Sequence, residues 1–182
     1  MRAFRLARAA YLSVPLALTA AIAISASASA APRTTPVRTV YSSPYAVSIS
    51  IPASWRPTPG IAPAGNGYDG ATGWFEFNAM AGPFTQHRAC IVAASGNVLH
   101  PYGLHPRIQY RTIDGRPGCL IIASKDAVRQ SRRPRGPAFK TSALLVEYRH
   151  PVGIGGSRYA WLEVYTDPAH LAAIAASCTA SR

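Results

Sequence analysis

The sequence predicts an α+β domain: an antiparallel sheet of about six strands with two helices packed on it, in the order β-β-α-β-β-β-β-α. Three observations carry this reading. Apolar and polar residues alternate over several short segments, the mark of half-buried strands. Four of these segments fall into two pairs around glycine-bearing turns, which makes them hairpins. Two other stretches place small or apolar residues three and four apart and begin at capping residues, so they are helices.

In residues 45–51, Tyr45, Val47, Ile49 and Ile51 share one side and Ala46, Ser48 and Ser50 the other, and Pro52 ends the strand. Residues 53–73 are dense in Gly, Pro and Asn and read as a long loop that Trp55 plugs onto the core. Residues 74–81 form the second strand, with Phe75, Phe77 and Ala79 opposed to Trp74, Glu76 and Asn78. A short helix follows over 84–95, with Thr85 as its N-cap and Gly96 just past its end. Cys90, Ala93 and Ala94 share its inner face. After a loop, 97–107, one hairpin pairs 108–113 with 119–124 across 114–118. A second pairs 143–150 with 159–166 across 152–157. Asp167 caps the final helix, Pro168 takes its first position, and Leu171, Ile174, Ala175 and Cys178 form the stripe that packs on the sheet.

Residues 1–30 read as a secretory signal peptide. Arg2, Arg5 and Arg8 form a positive start, an uncharged run of 16 residues follows over 9–24, and Ala28-Ser29-Ala30 fits the small-residue cleavage pattern. That run is short of the roughly 20 residues a spanning helix needs. No cysteine lies near the cleavage point to carry a lipid. Residues 31–39 read as a flexible leader and 40–182 as a single domain, secreted to the periplasm or beyond, with no transmembrane anchor after cleavage.

The whole chain carries 19 Lys and Arg against 7 Asp and Glu. Removing the signal leaves 16 basic against 7 acidic residues, a net charge of +9. Such a surplus favours contact with anionic matter: wall polymers, lipid head groups or nucleic acid. The charge is densest in the loop 125–140, where Lys125, Arg129, Arg132, Arg133, Arg135 and Lys140 face the single acid Asp126. These six are the candidate binding residues, gripping an anionic polymer by counterion release or meeting a protein partner. The plain alternative is a solvated loop.

Three cysteines in an oxidising compartment suggest one disulfide and one thiol left over. Cys90 with Cys119 is the favoured pair, because the first helix must cross the sheet beside the strand that follows it. Cys90 with Cys178 is the other candidate. In the favoured arrangement Cys178 is a small buried hydrophobe.

No reaction is named by a motif. His87, His100 and His105 lack the tight spacing of a zinc site, so neither a metal nor any other cofactor is expected. Glu147 and Glu163 fall on predicted strands as cross-strand neighbours beside Arg149, which reads either as a charge network or, with a histidine, as the acid–base equipment of a small ribonuclease. Residues 153–156 form a hairpin tip and not a phosphate loop, since a strand follows.

Certain landmarks bear a family likeness: Pro52-Ala53-Ser54-Trp55, Tyr68-Asp69-Gly70, Gly73-Trp74-Phe75, His100-Pro101-Tyr102-Gly103 with Pro106, and the 159–165 strand leading into Asp167. Together they resemble small exported bacterial domains without an assigned activity, some of which are similar to the PsbP-like fold, an antiparallel sheet sandwiched by helices. The resemblance spans about 45–177 and implies a non-catalytic extracytoplasmic module. The arginine-rich stretch 129–135 departs from it. The expected function is thus a secreted, non-enzymatic binding module, with a small hydrolase acting on phosphodiesters as the alternative.

Overall fold

A computed structural model describes residues 35–61, 66–95 and 100–180. The signal segment, the first residues of the leader, Gly96 and residues 97–99 lie outside the described residues.

The elements in chain order are β1 (Val37–Ser42), β2 (Val47–Pro52), β3 (Arg56–Pro57), β4 (Gly67–Asp69), β5 (Trp74–Met80), α1 (Gln86–Ser95), β6 (Arg107–Ile113), β7 (Arg116–Ile122), β8 (Gln130–Ser131), β9 (Ala138–Phe139), β10 (Ser142–Ile154), β11 (Ser157–Thr166), α2 (Leu171–Ser177) and β12 (Thr179–Ala180). Seven strands form the main sheet in the order β3-β4-β5-β11-β10-β7-β6, every pairing antiparallel. A three-stranded sheet, β1-β2-β12, and a two-stranded one, β8-β9, complete the set. The domain is α+β and mostly sheet. Among the described residues no helix is long and apolar enough to cross a membrane.

The central strands are covered on both faces, because their two alternating sets of side chains enter separate cores. Phe75, Phe77, Leu120, Leu144, Val146, Leu162 and Val164 pack with Val47, Ile49 and Ile51 of the small sheet and with Leu171 and Ile174 of α2. Their neighbours Cys119, Ile121, Ala143, Leu145 and Trp161 pack with Ala89, Cys90 and Ala93 of α1 and with Tyr102 from the loop that follows it. Ala94, placed with them by its spacing, packs at the margin of this core. Trp55 is fully buried in the first core, as its place in an otherwise polar loop implied. The Cys90–Cys119 disulfide ties α1 to β7, and Cys178 is a buried free thiol. Burial pushes that thiol up to about 12, so it stays protonated.

Several boundaries differ from the sequence reading. Residues 37–39, at the end of the expected leader, belong to β1, which pairs along the whole of β2. The long loop 53–73 contains two short strands. Both hairpins close more tightly than expected, on two-residue turns. Asp114-Gly115 and Gly155-Gly156 all have positive φ, the twist-matched geometry of such turns, so 116–118 and 152–154 are strand. Asp167 accepts hydrogen bonds from the Ala169 and His170 amides, but the helix proper begins three residues later than Pro168, at Leu171.

Candidate functional site

One face of the main sheet carries a row of polar side chains that runs from β4, next to the β3 edge, to its middle. The register sets the row. Asp69 lies opposite Trp74, Glu76 opposite Tyr165, and Asn78 opposite Glu163. Directly opposed residues of antiparallel strands project to the same side. All of these therefore lie on the side covered by α1.

At the inner end is Glu163, 6% exposed. Its carboxyl accepts hydrogen bonds from the Tyr102 hydroxyl (2.9 Å), the Tyr165 hydroxyl (3.0 Å) and the Asn78 amide (3.0 Å). Burial raises its pKa above the ordinary value, and the three donors oppose that rise. Burial, then the neighbouring Glu163, pushes both tyrosines upward, so they remain donors. Among the described residues no histidine or arginine hydrogen-bonds to Glu163 or forms an ion pair with it. Leu145, not Glu147, stands opposite Glu163, and Glu147 faces Trp161. The expected Glu147–Glu163 pair is therefore offset by two residues and lies diagonally across the strands. His100 and His105 are exposed on the loop between α1 and β6, while the exposed His87 shares a hydrogen bond with Tyr110 (2.8 Å). Among the described residues no three His, Cys, Asp or Glu side chains gather to hold a metal ion.

The outer end of the row lies under the basic segment 125–140. This is not an open loop but a short arm, with β8 and β9 pairing Gln130 with Phe139 and Ser131 with Ala138. Its root is clamped. Asp126 accepts the Leu104 amide (2.7 Å) and the Ser124 hydroxyl (2.5 Å), and the Ser124 bond is the main reason its carboxyl falls to about 2. Lys140 donates to the carbonyls of Ser124 (3.0 Å) and Lys125 (2.6 Å).

Beyond the root, two arginines fold inward. The Arg132 guanidinium lies 3.7 Å over the Trp74 ring and pairs with Glu76 at 3.5 Å. Arg133 hydrogen-bonds to Asp69 through Nε and to the Pro57 carbonyl (3.2 Å) through Nη2. Trp74 itself is fixed by its backbone amide, which donates to Asp167 (3.1 Å), and by Gly73, where any side chain would run into that same carboxylate. Lys125, Arg129 and Arg135 point outward, exposed. None of their side chains has a hydrogen-bond or ion-pair partner among the described residues.

Between the arm and the β3–β4 edge lies a groove of about 340 Å³, lined in part by Arg56, Trp74, Arg132, Arg133, Pro137 and Phe139. Three buried polar atoms of its lining residues find no partner among the described residues: Asp69 Oδ2, Trp74 Nε1 and Arg132 Nε. Native interiors rarely leave such groups unpaired. The six basic residues are visible in the sequence as a charge cluster, but the division of labour among them, and the part of Arg56, Asp69 and Trp74, are not. The Trp74–Glu76 alternation on the strand that faces the arm was the one available signal.

No protein-family model matches the chain, and no curated protein matches it.

Proposed function

We propose that this is a secreted, non-enzymatic module of the cell envelope or extracellular space that binds an anionic polymer through the arm at 125–140. One observation carries the reading: the arm spends Arg132 and Arg133 on anchoring itself to Trp74, Glu76 and Asp69, and holds Lys125, Arg129 and Arg135 exposed, with no side-chain partner among the described residues. A merely solvated loop needs no such anchors. A fixed arm presents its charges without the ordering cost that a flexible one incurs on binding. The disulfide fits an oxidising compartment. The signal-like N-terminus and the resemblance to exported domains without assigned activity support the same reading.

Retention on phosphocellulose over a salt gradient tests it. Replacing Arg129 and Arg135 by Ser is expected to lower the eluting salt concentration clearly and to reduce the slope of log K against log salt by on the order of one per arginine. Retention that ignores both substitutions would remove the arm from the reading. Arg132 and Arg133 are poor choices for this test, because their loss also frees the arm.

A further inference from the structure

The groove beneath the arm has a chemistry more selective than a positive surface. Three guanidiniums line it, and each is held by a partner that uses only part of its donor set. Arg56 Nη1 donates to the carbonyls of Ala53 (3.0 Å) and Trp55 (3.3 Å). Arg132 offers Nη1 to Glu76, and Arg133 offers Nε and Nη2 to Asp69. A guanidinium carries five N–H donors, so each keeps some in reserve while its position is set. Three arginines against two acids leave one net positive charge at the groove, which matches a singly charged anion.

The unpaired atoms refine the match. Trp74 Nε1 and Arg132 Nε are donors, suited to phosphoryl oxygens. Asp69 Oδ2 is an acceptor on a residue only 6% exposed, and its other oxygen is held by Arg133. It would repel an anion placed directly against it and would instead accept an O–H. A ligand that satisfies all three carries a phosphoryl group and, close by, a hydroxyl. Pro137, Phe139 and the Trp74 edge supply apolar surface for the carbon skeleton between them.

We propose that the groove is a discrete site for one hydroxyl-bearing phosphodiester unit, a polyol or sugar phosphate diester, of the anionic polymer that the arm grips. This rests on the binding reading above and names the repeating unit recognised. Arg56, Arg132 and Arg133 hold the phosphodiester, Asp69 takes a hydroxyl, and Phe139 packs on the carbon chain.

The test is an NMR titration of the folded protein with glycerophosphoglycerol, dimethyl phosphate and glycerol. Glycerophosphoglycerol is expected to bind at one site. Dimethyl phosphate, which lacks the hydroxyls, is expected to bind about 10-fold more weakly or less, and glycerol not measurably. Arg56→Ser and Phe139→Ala should each weaken glycerophosphoglycerol by about 5-fold, while the exposed Arg158→Ser on the β10–β11 hairpin leaves it unchanged. Unaltered amide shifts elsewhere establish that each variant is folded, and either of the two suffices if the other is not. Equal affinity for dimethyl phosphate and glycerophosphoglycerol, or indifference to both groove variants, overturns the proposal. If the small ligands fail but phosphocellulose retention still depends on Arg129 and Arg135, the groove assignment alone falls. If both fail, the polymer-binding reading falls with it.

Discussion

Two polar clusters lie side by side on one face of the main sheet and are treated in opposite ways. Around Glu163, two tyrosine hydroxyls and an amide satisfy a buried carboxyl from within the protein. Around Trp74, a buried indole N–H, a guanidinium N–H and a carboxylate oxygen have no partner among the described residues, and a groove opens beside them. The clusters meet where Glu76 stands opposite Tyr165. A closed polar network fixes structure, here the seating of Tyr102 and its loop against the sheet. An incomplete network on a groove is what a ligand can finish.

The comparison breaks most readily at its closed end. Glu163→Ala would take the acceptor from the buried Tyr102 hydroxyl and from the half-buried Tyr165 and Asn78, and is expected to cost about 2 kcal/mol in urea unfolding, whereas Glu163→Gln, which keeps an acceptor, should cost about 1 kcal/mol or less. A small effect of the alanine variant would mean that the cluster is not a closed network. At the open end, Asp69→Ala removes the anchor of Arg133. The expected loss is about 1 kcal/mol, since the partly exposed guanidinium is screened, with faster tryptic cleavage after Arg132 and Arg135 as the clearer sign. Cleavage no faster than in the wild type would show that Asp69 does not hold the arm.

The pH dependence sharpens the contrast. The folded Glu163 pKa lies above its ordinary 4.5. Stability favoured by its bound proton is therefore full below pH 4.5 and declines as pH rises toward the folded value. The wild type should gain on Glu163→Gln as pH falls through this window, measured as the difference in urea midpoints. A difference that is flat, or that reverses, contradicts the burial-dominated shift. The smallest stability effect is expected for Arg129→Ser with Arg135→Ser: within about 0.5 kcal/mol, because both side chains are exposed and neither has a partner among the described residues.

The closed and open clusters were not equally legible in the sequence. Alternation in residues 74–80 revealed which side chains of β5 share a face, and the i, i+3 spacing of Cys90 and Ala93 put the disulfide on the buried side of α1. Register was not legible. An irregularity between Glu147 and Val152, around Pro151, shifts the β10–β11 register, so Glu163 meets Leu145, whereas the pairing nearest the turn, continued, would set it opposite Tyr148. The turn signals Asp114-Gly115 and Gly155-Gly156 stand in the sequence, but the glycines and prolines beside them mask where each turn ends. β1 was hidden because Val37–Ser42 owes its form to pairing with β2 and not to a strong pattern of its own. Charge density located the arm, but which arginines turn inward depends on Trp74, Glu76 and Asp69, brought there by β-pairing distant in sequence.

The most direct test of the arm as the recognition surface compares two variants of equal charge on phosphocellulose. One carries Arg129→Ser and Arg135→Ser, and the other Arg149→Ser and Arg158→Ser on the β10–β11 hairpin. The arm variant is expected to elute at distinctly lower salt than the wild type, and the hairpin variant close to it. Equal shifts in the two would show that net charge alone holds the protein to the polymer, and would contradict the account.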